Sequence, residues 1–126
     1  MWKFASLILV AAGLVGCADG CGNTPIQTAT APTGHKAAIL FERNCGATTD
    51  YTTQISLIEA GEKPSGKGNI FIADGGLKSA SWGGPWAEMS WLSPGHLLIR
   101  YDASARVFEQ QESADGVRIS FEKVVR

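Results

Sequence analysis

The chain has 126 residues, of which 44% are hydrophobic and 18% are charged. This length suits one ordinary domain, and the apolar content is too high for a disordered chain. Eleven Lys and Arg residues against 12 Asp and Glu residues give a net charge of -1. Because there is no basic excess to bind phosphates, we expect no nucleic-acid partner.

Residues 1–16 have the features of a secretory signal peptide. Lys3 supplies a positive charge, and nearly every residue from Phe4 to Val15 is apolar. A run of about twelve apolar residues is too short to span roughly 30 Å of hydrocarbon as a stable helix. We therefore predict a helical signal peptide at residues 1–16 and not a transmembrane segment.

The segment Leu14–Cys17, with the sequence L-V-G-C, resembles the lipobox of bacterial lipoproteins. The resemblance implies cleavage before Cys17 and attachment of acyl chains such as palmitate to its thiol, which anchors a protein firmly to a membrane. Ala18 follows in place of Asp, and in bacteria with two membranes this implies the outer membrane, with the domain facing the periplasm. The alternative is an ordinary signal peptide with a chance cysteine.

Residues 17–33 are rich in Gly, Thr and Ala and have no hydrophobic period, so we predict a lipid-anchored flexible tether. If Cys17 carries lipid, Cys21 and Cys45 remain, and an exported chain enters an oxidising compartment. A Cys21–Cys45 disulfide is therefore expected. The alternative is a pair of free thiols with Cys45 as a nucleophile, but no base lies near it in the sequence.

From residue 34 to residue 126 the chain alternates apolar and polar residues in short runs, which is typical of strands. Turn residues such as Ser93-Pro94-Gly95 separate the runs. We predict an all-β domain: one antiparallel meander of about 6–7 strands, folded as a small sandwich or an open barrel. One or two buried helices are the alternative. The predicted strands are 35–43, 52–59, 69–74, 88–92, 96–102, 105–111 and 117–125.

The segment Phe41–Leu57 resembles small bacterial proteins, many of them predicted lipoproteins, that share an E-R-x-C-G-A-T-T run followed by Q-[IV]-S-L. Later strands, including Gly68–Asp74 and Gly116–Phe121, are similar to the same proteins. The resemblance covers roughly residues 36 to 122 and implies one compact domain. It carries no known activity and therefore assigns no catalytic residue.

One candidate binding site is the polar segment around Arg43, Thr48 and Thr49. The guanidinium of Arg43 could hold a carboxylate or phosphate through two hydrogen bonds, with the two threonines and loop amides assisting. The alternative is structural: the threonines satisfy their own loop backbone, and Arg43 pairs with a nearby acid.

The second candidate is the tryptophan-rich segment 81–91. An exposed Trp82 and Trp86 could stack on sugar rings or dock a protein partner. The alternative is that Trp91 belongs to the core and the other two cover one end of the domain, because a small domain needs such large apolar side chains.

No familiar catalytic or metal-binding pattern occurs in the sequence. His35 and His96 each follow a glycine at the start of a strand, an ordinary turn exit, and we expect no catalytic residues, metal or cofactor. The sequence therefore predicts a lipid-anchored cell-envelope protein that is not an enzyme. We expect a binding or structural module that contacts an envelope protein or glycan. The alternative is a periplasmic inhibitor whose loop Asn44–Tyr51 plugs the active site of an envelope-targeting hydrolase.

Overall fold

A computed structural model describes residues 20–46 and 51–126, which form nine β-strands and no helix. The all-β prediction is therefore confirmed. The predicted signal-peptide helix lies outside the described residues. The strands are β1 (Gly22–Thr30), β2 (Lys36–Asn44), β3 (Thr52–Glu59), β4 (Phe71–Gly75), β5 (Ala87–Ser93), β6 (His96–Asp102), β7 (Ala105–Gln110), β8 (Ser113–Ala114) and β9 (Val117–Val124).

Two sheets form a sandwich that is not closed into a barrel. The larger sheet has the order β1-β2-β3-β4-β7, and the smaller sheet has the order β5-β6-β9-β8. All pairs are antiparallel except β6 and β9, which run parallel. The parallel pair arises because the chain leaves β6, crosses to the larger sheet as β7, and returns through β8. The chain passes between the two sheets three times, after β4, after β6 and after β7, so the strands do not form the single meander that was expected.

The inner faces of the two sheets bury one main hydrophobic core. An aromatic group spans the two layers: Phe71 of the larger sheet lies 5.2 Å from Tyr101 and 5.9 Å from Phe121 of the smaller sheet, between ring centroids. Aliphatic side chains from both sheets, including Leu40 and Ile99, are fully buried around it. The alternation of apolar and polar residues along the strands results from this burial, because one face of each sheet is removed from water when the protein folds.

β2 departs from simple alternation because both of its faces are buried. Its outer face holds Ile39 and Phe41 in a second small cluster with Ile58. The segment between β3 and β4 is fastened to this same sheet, because the Asn69 side chain bonds both the N–H and the C=O of Leu57, at 2.8 and 3.0 Å. The side-chain amide of Asn69 thus makes the two hydrogen bonds that a backbone amide of a paired strand would make, and β4 begins only at Phe71.

β1 lies within residues 17–33, the segment predicted to be a flexible tether. It pairs with β2 along its length, with a bulge between Pro25 and Gln27. Most of its residues are exposed on both faces, so the strand has no hydrophobic alternation for sequence analysis to detect. Pro25 is compatible with an edge strand, which leaves one row of N–H groups unpaired. The tether prediction is corrected accordingly: residues 22–30 belong to the β domain.

Candidate functional site

Several predicted site residues lie at one end of the sandwich, which we call the disulfide end. Strand register places Cys21 and Cys45 there, together with Gly75 at the end of β4, Asp102 at the end of β6 and Val124 at the end of β9. Cys21 and Cys45 are joined, with an S–S distance of 2.03 Å, so the disulfide prediction is confirmed. The bond fixes the start of β1 to the end of β2.

Glu42 and Arg43 are neighbours on β2 and therefore point to opposite faces of the sheet. The guanidinium of Arg43 is buried on the outer side and donates to the side-chain oxygen of Asn23 at 2.7 Å. Asn23 in turn donates to the carbonyl of Pro64 at 3.1 Å. This geometry favours the structural interpretation of Arg43. Thr48 and Thr49, its predicted companions, lie outside the described residues.

Glu42 is the more unusual of the two residues, and sequence analysis did not single it out. Its side chain is on the core side of β2, where Oε2 is buried without a hydrogen-bond partner. Burial raises the pKa of its carboxyl above the ordinary value of 4.5, because the charged form loses hydration.

Trp82 and Trp86 are both half-buried, and each is engaged within the domain. The indole N–H of Trp82 donates to Thr53 Oγ1 at 2.8 Å, and its ring packs against the main core. The ring of Trp86 lies under the guanidinium of Arg126, 4.4 Å from the ring centroid. This arrangement resembles the alternative interpretation, in which Trp82 and Trp86 cover one end of the domain and do not form an exposed binding pair.

A third aromatic residue, Tyr51, lies at the same end and is 54% exposed. Its ring covers Gly83 so closely that an added Cβ there would lie 2.9 Å from the tyrosine ring. Sequence analysis named Tyr51 only as the last residue of a loop, because its contact with Gly83 bridges distant parts of the chain.

A serine–histidine contact occurs on the outer face of the smaller sheet. His96 Nε2 lies 2.6 Å from Ser120 Oγ, and His96 Nδ1 lies 3.1 Å from Nη2 of Arg118. Arginine can only donate, so Nδ1 accepts and the ring proton is on Nε2. A serine nucleophile needs Nε2 as the proton acceptor, which is the opposite tautomer. This contact therefore does not activate Ser120.

Two aspartates at the disulfide end are held by local partners. Asp74 accepts from two nitrogens of Arg106, at 2.9 and 3.0 Å. Asp102 Oδ1 accepts from the N–H and the hydroxyl of Ser104, at 2.8 and 2.7 Å, while its Oδ2 is buried without a partner. In the part of the chain that the structure describes, no group of three His, Cys, Asp or Glu residues is arranged to hold a metal ion.

A surface groove lies between the two sheets beside β9, and we call it the β9 groove. Its volume is about 870 Å³, and Gln110, Glu112 and the segment 117–121 line it. A neighbouring cavity of about 470 Å³ continues it past Gln110, with Val107 and Lys123 among its lining residues. The groove runs along β9 where β7 and β9 belong to different sheets and do not pair.

The backbone edge of β9 faces this groove. β8 pairs only with Val117 and Arg118, and the N–H of Ile119 then donates to the Glu112 carbonyl at 2.9 Å. Among residues 20–46 and 51–126, no strand pairs with the rest of β9 on this side. Because backbone groups alternate in direction along a strand, those of Phe121 and Lys123 point the same way as Ile119. They form an open strand edge.

Comparisons of the chain with models of known protein families, with curated proteins and with solved structures find no match. A search of the described residues for membrane-spanning helices finds none that is long and apolar enough.

Proposed function

We propose that this protein is a lipid-anchored protein of the bacterial cell envelope that binds an extended segment of another envelope protein without catalysis. The lipobox ending at Cys17 supports the anchor, and the Cys21–Cys45 disulfide supports export to an oxidising compartment. The observation that carries the binding role is the open edge of β9 beside the β9 groove.

An open strand edge is recognised by a polypeptide, because only a backbone supplies donors and acceptors at the matching spacing. Along the β9 groove and the cavity that continues it, the N–H and C=O groups of Phe121 and Lys123 offer such a ladder. The side chain of Phe121 is half-buried at the groove and packs against the core. A partner strand with apolar residues at alternate positions would therefore bond to β9 and cover this apolar surface.

A polypeptide suits the geometry better than a glycan does. The expected sugar platform needs freely presented indole rings, whereas the Trp82 N–H already bonds Thr53 and the Trp86 face is covered by Arg126. The tautomer of His96 argues against an acyl-transfer role for Ser120. These contacts support binding, and not hydrolysis, as the activity of the domain.

Photo-crosslinking in living cells tests the proposal. Benzoylphenylalanine is placed at Lys123 in the cavity that continues the β9 groove, at Asn44 beside the disulfide, and at Leu92, an exposed control on β5. We expect a protein adduct at position 123 alone, with the partner's crosslinked peptide in an extended apolar-alternating segment. An adduct at position 44 alone, on a hydrolase, would favour the inhibitor in place of this proposal. Adducts at all three positions, or at none, would refute it.

The anchor is tested separately by mass spectrometry of the purified protein. We expect the N-terminal peptide to begin at Cys17 and to carry a diacylglycerol thioether. In a Cys17→Ser variant the acyl mass should disappear and the protein should leave the membrane fraction. A wild-type protein without acyl mass would overturn the anchor while leaving the crosslinking result valid.

A further inference from the structure

We propose that the disulfide end of the sandwich rests on the membrane, with Leu77 and Val125 entering the lipid interface and Lys78 and Arg126 contacting anionic headgroups. This inference rests on the proposed lipid anchor at Cys17. It goes beyond that anchor, since a lipid on a flexible tether would leave the orientation of the domain free.

The path from the lipid to the domain is short. Three residues lie between Cys17 and Cys21, so the two Cα atoms are at most about 14 Å apart when the segment is fully extended. Cys21 is bonded to Cys45, and β1 begins at the next residue, Gly22. The chain therefore has no further slack, and the disulfide end stays close to the bilayer surface.

Two large apolar side chains project from this same end. Leu77 is 90% exposed and Val125 is 91% exposed, the highest values among the large hydrophobic residues described. They are neighbours, because both line a cavity of about 220 Å³ beside Asp102 and Ser104. Leu77 follows β4, which is three strands from β1 in the larger sheet, a lateral distance of roughly 14 Å. The apolar pair and the anchor therefore reach the same surface.

The charges at this end also suit an anionic surface. Asp74 and Asp102 lie at the ends of strands and are buried, as is Glu42. Lys78 and Arg126 are exposed beside the two apolar side chains. Among the described residues, Glu88 and Glu122 lie on the outer face of the smaller sheet, and both pair with Arg100. Cations beside exposed apolar groups favour binding to a membrane that contains anionic lipids.

Aromatic side chains complete the surface. Tyr51 is half-exposed and Trp86 lies under Arg126 at the same end. Rings with one polar edge are enriched at the depth of lipid headgroups. Trp91, by contrast, lies four residues further along β5 than Ala87, about 13 Å from the disulfide end. The two tryptophans therefore report different heights above the membrane.

Tryptophan quenching by lipids with brominated acyl chains tests the orientation. The acylated full protein is reconstituted into vesicles that contain phosphatidylglycerol, with or without bromine on the chains. The fluorescence that is lost in the Trp86→Phe variant belongs to Trp86, and the fluorescence that is lost in the Trp91→Phe variant belongs to Trp91. If the disulfide end lies at the membrane interface, Trp86 is close to the brominated chains and Trp91 is not. We therefore expect roughly twofold quenching of Trp86 and little quenching of Trp91.

Substitutions at matched exposed leucines supply the control. Leu77→Asp should reduce the quenching of Trp86, whereas Leu92→Asp, at the opposite end of β5, should leave it unchanged. Because Leu77 is exposed, its variant should melt at the wild-type temperature. Equal quenching of both tryptophans, or none in a protein whose Cys17 carries lipid, would overturn the inference and leave the anchor intact. Absence of acyl mass on Cys17 would instead refute the proposed anchor.

Discussion

Replacing both Cys21 and Cys45 with serine should destabilise the domain, because the disulfide closes a loop with a sequence separation of 24 residues. In the chain-entropy account, a closed loop of this size restricts the unfolded chain by about 3.5 kcal/mol at 25 °C. β1 offers little to compensate for the loss, because most of its residues are exposed. Its pairing with β2, the side-chain bonds of Asn23 to Arg43 and Pro64, and the bond from the Trp91 N–H to the Ala29 carbonyl at 2.8 Å remain.

Urea unfolding followed by tryptophan fluorescence measures this loss. The double serine variant should unfold at a lower urea concentration than the oxidised wild type, and dithiothreitol should bring the wild type to the same midpoint. The reductant should have no effect on the variant, which serves as the control. Hydrogen exchange should show faster exchange in residues 22–30 than in β3 after reduction. A wild-type midpoint that reduction does not move would refute the reasoning.

Three further substitutions test the core and the buried acid. Thr53→Val should cost about 2–3 kcal/mol, since it leaves the Trp82 N–H and the Pro85 carbonyl without their buried partner; a urea midpoint equal to wild type would contradict this. Phe71→Ala should cost about 3–5 kcal/mol in the same assay, because the ring is fully buried at the centre of the core. Glu42 has a raised pKa when folded, so the folded state holds its proton to higher pH than the unfolded chain, and stability falls as pH rises through that interval. Glu42→Gln should therefore raise the melting temperature at pH 7, but not below about pH 4, where the carboxyl is protonated in both states. An equal gain at both pH values would exclude the titration as its cause.

The sequence alone predicted features that depend on local pattern. Thr52–Glu59 was expected as a strand and is one, because alternate residues there face the core and the outer layer. The Cys21–Cys45 bond followed from counting cysteines in a chain predicted to be exported, without knowledge of the fold. The lipid anchor at Cys17 likewise rests on a local motif and stays a prediction. β1 was missed because an edge strand that buries neither face carries no hydrophobic period.

Only the tertiary structure decided how the strands are arranged around one another. The parallel pairing of β6 with β9 brings His96 to Ser120, and it leaves the far edge of β9 open beside β7. Each of these contacts joins residues far apart in the chain, and no local propensity specifies which strand a given strand pairs with. The same holds for the disulfide end. Leu77 and Val125 line the same cavity there because several strands end on that side of the sandwich. The local alternation of apolar and polar residues determines that a segment becomes a strand. The need to bury the apolar faces of all strands together determines where that strand lies.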